Sequence, residues 1–588
     1  MRPIGSLRKK PLALFLGLLF GSLTIAHAAP GSGAACRDPA AEASLRAKET
    51  ALLGTAHAKE HAQARAQQCR KLLGSQTAPS PDPQILAAAS SLPTSTVGQW
   101  SAPIAVPVAG IASVLLNTGN VLFWSYDPTQ YLNPSSTNDG KAYIWNPTSP
   151  TMGHFVNPPS NIWCGGQTTL ADGRVYVAGG NLRYPDPNAP AGTQNWEGAL
   201  TEYTFNPKTE TWMQQPPMSV GRWYPTVTQL ADNTVVISSG YDDSGTANVT
   251  QIVEQFTPST DINGVGKIAD VTMHDPTGLY PFQYLTATGQ LSQFGPSYNN
   301  SFMVTPGTWS WSAIPNMNVS HYGYANGVIA TDASVTPATQ IITIAGGENG
   351  TTAISNNEWF DVNNPSAGWR QFPQWLQVRH NSNTVILPDG TLFTVGGSPD
   401  PTTYGSTPCP NDPSLTCPNP IYESELYSKP AYDPTGKWVQ VAPNTVRAAY
   451  HSSAILLPDA TVLLSEDDWD YPSGATHYVQ VYSPPYLFKG TTRPSITSAP
   501  IQVTVGQTFS MTTSTTKIAS VVLIAPGAVT HANDMHQRFI KLRSSHGNTS
   551  KLTATIPGSH SIVPPGDYLL FIVDSNGVPS LGKFIKVT

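Results

Sequence analysis

The chain has 588 residues with 48 Gly, 54 Pro and 12% charged residues, against a usual charged fraction of about 25%. That balance excludes a coiled coil or a bundle of long solvated helices, and 14 Trp, 23 Tyr and 17 Phe exclude whole-chain disorder. The net charge of −6, carried without basic runs, excludes a nucleic-acid binder.

Residues 1–28 read as a secretory signal. Arg2, Arg8, Lys9 and Lys10 form a cationic start, Pro11 to Ile25 an apolar run, and Ala26-His27-Ala28 a cleavage pattern. The run is shorter than the ~20 apolar residues of a membrane span. The expectation is an exported chain, secreted, extracellular or periplasmic, without stable membrane insertion and monomeric. Loss of the four leader cations takes the net charge from −6 to −10.

Residues 29–75 hold the clear helical stretch. Asp38 can cap a helix with Pro39 in its first turn, Gly54-Thr55 can end it and start a second, and Gly74 can end that one. Cys36 and Cys69 flank these helices. One unbroken helix would hold them roughly 50 Å apart, whereas a disulfide needs about 5.5 Å between Cα atoms. Pairing therefore requires a hairpin bent near Gly54. Residues 76–97, rich in Pro, Ser and Thr, read as a linker.

From residue 98 to 492 a repeat takes over: an apolar strand, a turn with Asp, Asn or Gly, a second apolar strand, then often Gly-Gly. Copies lie at 110–124, 167–180, 226–240, 282–295, 327–347, 384–397 and 453–465. Asp-Gly or Thr-Gly between apolar runs is a hairpin signal. Seven hairpins near the kelch period of about 50 residues predict a seven-bladed kelch-type β-propeller. Residues 493–588 carry short alternating strands and turn signals that suit an immunoglobulin-like β-sandwich.

The remaining cysteines are Cys409 and Cys417, which bracket a short Pro-rich loop that a disulfide could close, and Cys164. Two pairs leave Cys164 over. By cysteine arithmetic alone it is either a reactive group or a small buried hydrophobe.

Four segments concentrate chemistry: Trp163-Cys164-Gly165-Gly166, Arg222-Trp223-Tyr224-Pro225, Arg447-Ala448-Ala449-Tyr450-His451-Ser452, and Thr530-His531-Ala532-Asn533-Asp534-Met535-His536-Gln537-Arg538. The first three precede the first strand of a repeat hairpin at equivalent places in blades two, three and seven. Such residues can meet near a propeller axis.

These segments, with Q-F-G-P-S, V-Y-S-P-P-Y-L-F-K-G and P-P-G-D-Y-L-L-F-I-V-D-S-N-G-V-P-S, are similar to the galactose oxidase/glyoxal oxidase family of copper radical oxidases over roughly 490 residues. R-W-Y and P-P-Y-L-F look more like its glyoxal oxidase branch. The resemblance implies one copper per chain, bound by Tyr224, Tyr450, His451 and His531. It implies that Tyr224 is the equatorial tyrosine, bonded through its ring to the sulfur of Cys164, and that Tyr450 is the axial one. The catalytic group would be Cys164, Tyr224 and Tyr450, and His531 would reach in from the C-terminal domain.

Imidazoles and phenolates suit Cu(II). Oxidising an alcohol or aldehyde hydrate removes two electrons, and one copper accepts one. A Cys164–Tyr224 thioether radical would take the second, Tyr450 would accept the substrate proton, and O2 would leave as hydrogen peroxide. The implied partners are a small aldehyde or primary alcohol and O2. A family tryptophan downstream of the cross-linked tyrosine is replaced here by Ser-Ser-Gly-Tyr241-Asp242-Asp243. The ring that shields the radical is then to be sought among Tyr241, Trp163 and Trp223.

His380, before the sixth hairpin, could face the same pocket or simply pack, and Arg379 could bind an anionic substrate or a backbone carbonyl. His536 matches no family ligand. The rival from another class is a non-catalytic kelch scaffold, which predicts no copper and no cross-link. A sialidase-type glycosidase would need S-x-D-x-G-x-T-W turns, of which the sequence has none intact.

Overall fold

The computed structural model describes residues 93–588 apart from short internal segments, among them 127–138, 409–415 and 469–476, and also Ala43 and Ala47. The signal, the helical hairpin and most of the linker lie outside the described residues, except that Ala43 and Ala47 are helical. The end of the expected linker is ordered. Thr94–Val97 is one helical turn, and the Val97 carbonyl accepts hydrogen bonds from Tyr482 Oη at 2.8 Å and from the Ala442 amide at 2.9 Å.

Beyond that turn the chain is mainly β. All seven repeat copies form antiparallel hairpins. Their first strands are Ala112–Leu115, Gly166–Thr169, Thr226–Gln229, Phe282–Leu285, Asn326–Asp332, His380–Ile386 and Ser453–Leu456. Two further strands extend each of the first six hairpins into four antiparallel strands. The seventh is completed from both ends of the repeat region. Its third strand, His477–Ser483, pairs with Gln99–Trp100 and Ile104–Val106 from before the first hairpin.

The turn chemistry is local. Gly173 of Asp172-Gly173 has φ +93°, and Asp172 Oδ1 accepts from the Arg174 amide at 3.0 Å. A side chain there would pay the left-handed penalty that Gly avoids. First and second hairpin strands are buried along most of their length, as in GQTT with VYVA and TVTQ with VVIS. Each fully buried Val, Leu or Ile adds roughly 1.5–3 kcal/mol.

Charged residues on third strands tie down the loops before the hairpins. Glu254 accepts from Arg222 Nη2 at 2.7 Å and from the Ser219 amide. Glu425 accepts from Arg379 Nη2 at 2.6 Å and from the Leu376 and Gln377 amides. All four of these charged side chains are buried.

Residues 496–587 form two sheets around a core that includes Val521, Leu523, Ile540, Leu570 and Ile572. Two of their segments join the repeat region. Arg538–Lys541 pairs in parallel with Asn326–Asp332 of the fifth sheet. Ala528–Thr530 pairs antiparallel with Ala112–Leu115 of the first. The turn between them, carrying His531, is thereby anchored to the first and fifth sheets on either side.

Candidate active site

Five first strands are preceded, two residues upstream of their first residue, by a side chain on left-handed backbone: Cys164 (φ 64°), Tyr224 (67°), Tyr280 (47°), Tyr324 (54°) and His451 (73°). His531, in the C-terminal turn, has φ 48°. Each such residue costs of order 1–3 kcal/mol, and such strain concentrates at functional sites. Backbone bonds chain three of them together: Tyr224 N–H donates to the Cys164 carbonyl at 2.9 Å and Tyr280 N–H to the Tyr224 carbonyl at 3.0 Å.

The sequence-predicted set converges. Tyr224 Oη and Tyr450 Oη share a hydrogen bond of 2.6 Å. The His451 and His531 rings lie 4.7 Å apart and nearly perpendicular. The Tyr224 ring is 4.6 Å from His531, and the Tyr450 ring 3.8 Å from His451. Cys164 Sγ lies 3.7 Å from His531 Nε2 and is in no disulfide. All five residues are at most 3% exposed.

Two imidazole nitrogens are left for a metal. His451 Nδ1–H donates to Asp468 Oδ1 at 2.9 Å, and its Nε2 is buried with no hydrogen-bond partner. His531 Nδ1–H points to Thr530 Oγ1 at 2.7 Å, and that hydroxyl can donate onward to the Ile111 carbonyl. Burial, reinforced by His451, pushes the His531 pKa well below its ordinary value, so its ring stays neutral with Nε2 as a lone pair. Among the described residues no three His, Cys, Asp or Glu side chains gather to hold a metal. The donor set on offer is two imidazoles and two phenols, a set that fits copper.

Sequence reasoning missed Asp468, Tyr126, Tyr280 and Tyr324. Asp468 bridges His451 and Tyr126, whose hydroxyl donates to Oδ2 at 2.7 Å. Burial opposes its charge, but His451 and these bonds hold its carboxyl below the usual range. No motif marks it. Tyr280 and Tyr324 did carry a signal, the same offset from a first strand as Cys164 and Tyr224. The Tyr280 ring stacks on Tyr224 at 4.4 Å, and Tyr324 packs edge-on to Tyr450 at 5.1 Å.

Among the candidate shields, Trp223 covers Tyr224, with rings 3.7 Å apart and 9° from parallel. Tyr241 stacks on Trp223 instead. Trp163 meets His451 edge-on at 5.9 Å. Arg379 donates through Nη1 and Nη2 to the Gly396 and Glu423 carbonyls and to Glu425. His380 is bound by Asn381 Nδ2 at 2.6 Å and lies 3.2 Å from the Asp400 carbonyl. His536 bonds Thr168 Oγ1. Of the expected disulfides, Cys36, Cys69 and Cys409 lie outside the described residues, and Cys417 is buried.

Residues 493–587 match the family model described as galactose oxidase-like, Early set domain. The chain is 24% identical over 544 residues to a galactose oxidase of Gibberella zeae, covering 85% of this chain and 72% of the relative. It is 25% identical over 476 residues to an aldehyde oxidase GLOX of Vitis pseudoreticulata, covering 73% and 82%. A solved structure of a fungal alcohol oxidase of the AA5 family, in complex with copper, shares the fold with a TM-score of 0.67 and 23% identity, covering 84% of this chain and 100% of that one. Over most of its length the chain is thus similar to galactose oxidases and aldehyde oxidases, and its C-terminal domain to the galactose oxidase-like Early set family.

Proposed function

We propose that the protein oxidises a small aldehyde or primary alcohol with O2 and releases hydrogen peroxide. The observation that carries this reading is the 2.6 Å bond between Tyr224 Oη and Tyr450 Oη beside the unpartnered Nε2 of His451. It is a phenol pair and a free imidazole nitrogen buried together. His451 Nε2, His531 Nε2, Tyr224 Oη and Tyr450 Oη would hold one copper. When bound, copper supplies one unit of electron storage and Lewis acidity toward the substrate oxygen.

Tyr450 Oη, as phenolate, takes the substrate hydroxyl proton. Tyr224, once its ring carbon beside the phenol oxygen has bonded Cys164 Sγ and the ring has been oxidised by one electron, accepts the second electron from the substrate. In the bonding step one S–H and one ring C–H are lost, and O2 takes the two hydrogens as hydrogen peroxide. The thioether makes the ring easier to oxidise, Trp223 covers its face, and Asp468 and Thr530 hold the two imidazoles in the Nδ1–H tautomer.

The seven sheets are read as blades of a kelch-type propeller over residues 98–492. The pairing of Gln99–Trp100 onto the seventh sheet supports closure, and residues 493–588 serve as the domain that delivers His531. Export as a monomer through residues 1–28, with Cys36–Cys69 and Cys409–Cys417 disulfides, completes the reading. Among the described residues no helix is long and apolar enough to cross a membrane.

The test is peroxide production by copper-loaded protein across a panel of small aldehydes and primary alcohols, with denaturing mass spectrometry for a two-hydrogen loss. Stoichiometric zinc with copper excluded, or two-hydrogen retention with no peroxide, would favour a scaffold.

A further inference from the structure

Tyr224 is 2% exposed and Trp223, which covers it, 1%. A reagent in solution therefore cannot touch the ring that must give up an electron before the site can hold a radical. Next to Trp223 stands a ring that solvent does reach. Tyr241 is half-buried, and its ring lies 5.6 Å from that of Trp223 and 5° from parallel. The stack is set by backbone. Trp223 N–H donates to the Tyr241 carbonyl at 2.9 Å and Tyr241 N–H to the Trp223 carbonyl at 2.8 Å, an isolated antiparallel bridge between the two residues.

Resting on the oxidase reading above, we propose that Tyr241 and Trp223 form an electron port through which a one-electron oxidant in solution charges the Cys164–Tyr224 pair. Trp and Tyr are the most easily oxidised of the ring side chains, and electron tunnelling falls steeply with distance. Parallel stacked rings give an electron a short path from one side chain to the next. Three rings, Tyr224, Trp223 and Tyr241, form one column with steps of 3.7 and 5.6 Å between centroids. The direction follows from chemistry. A thioether-substituted phenol is easier to oxidise than Trp or unmodified Tyr, so a hole made at Tyr241 runs inward and stops at Tyr224.

The step balances. The oxidant gains one electron, and Tyr241 releases its phenolic proton to water and recovers it when Trp223 refills it. Tyr224 ends one electron short, with no bond broken. The second branch from Trp223, through Trp196 at 4.7 Å and Trp163 at 5.5 Å, reaches a partly exposed ring only at Tyr126, after three steps. It is the slower exit.

Asp242 and Asp243 follow Tyr241 in sequence, so a cationic outer-sphere oxidant, osmium(III) tris-bipyridine, is the probe. Copper-loaded, cross-linked protein is reduced by one electron, mixed with the probe, and followed by stopped-flow absorption and by electron paramagnetic resonance. Tyr241→Phe keeps the stacked ring but is far harder to oxidise. The expected result is a several-fold slower rise of the oxidised state in Tyr241→Phe, with copper content and peroxide production of fully oxidised enzyme unchanged. Tyr241→Trp should restore the rate, and Trp196→Phe should leave it alone. A wild-type rate in Tyr241→Phe overturns the port while leaving the oxidase reading intact. A wild type that binds copper yet never reaches the oxidised state overturns both.

Discussion

Tyr224 and Tyr450 stand 226 positions apart in the chain and meet oxygen to oxygen at 2.6 Å. They come from the loops before the third and seventh hairpins. Tyr224 is held on left-handed backbone two residues before its strand, and Tyr450 immediately precedes the left-handed His451. Two phenols are thereby buried oxygen to oxygen beside the His451 and His531 rings.

Copper affinity should depend on Asp468 as well as on the ligands. His531→Ala removes one of two imidazoles and should abolish stoichiometric binding. Asp468→Asn keeps the shape but removes the charge that orients His451, and loss of such a partner typically costs 10–100-fold in metal affinity. Titration of apoprotein against a copper chelator checks both. An unchanged affinity in Asp468→Asn would reduce that residue to packing.

Cys164→Ser should retain copper, because Sγ is not among the four donors proposed above, and should lose nearly all peroxide production. A reduced thiol beside a redox metal is otherwise open to oxidation. Peptide maps of the wild-type protein after full reduction should show residues near 164 and 224 travelling together. Wild-type turnover in the serine variant would place the second electron store elsewhere.

Glu254→Ala should destabilise the fold by about 3–5 kcal/mol, since it strands a buried guanidinium. Arg222 makes two bonds to Glu254 and two to backbone carbonyls, and both partners are at most 1% exposed. Denaturant unfolding measures the loss. A change within the range of ordinary surface substitutions would mean that water reaches Arg222.

Acid should destabilise the sixth sheet through His380. Burial pulls its pKa from 6.5 down to about 4, with the Asp400 carbonyl working the other way. Glu348 Oε1 stands 3.8 Å from its Nε2. A depressed folded-state pKa means the unfolded chain binds the proton first. Stability from this residue is therefore complete above pH 6.5 and lost as the pH falls toward 4, by roughly 3 kcal/mol. His380→Gln should flatten the unfolding curve across that window, and an unaltered slope would count against a neutral buried ring.

The hairpins were legible because a hairpin is a local object. Asp172-Gly173 and its counterparts place a turn residue between apolar runs, and the partners that test the turn lie within a few positions. The residues expected to hold copper stood in motifs, Tyr224, Tyr450 and His451 at hairpin starts and His531 in the C-terminal domain, and the structure brings their side chains together. Asp468 was not, since nothing around it in sequence says that His451 Nδ1 lies 2.9 Å away. Tyr280 and Tyr324 carried the shared two-residue offset, yet an offset gains meaning only when strand starts are known. The shield could not be assigned between Tyr241, Trp163 and Trp223 from spacing. Left-handed backbone at Tyr224, stacking at 3.7 Å and the Trp223–Tyr241 bridge decide it. Sequence by itself determined the strands, the turns and the donor types, because those depend on neighbours along the chain. Which rings touch, which imidazole nitrogen is left open and which histidine is only packed were decided by the tertiary structure, because each depends on surfaces that meet only when strands hundreds of residues apart converge.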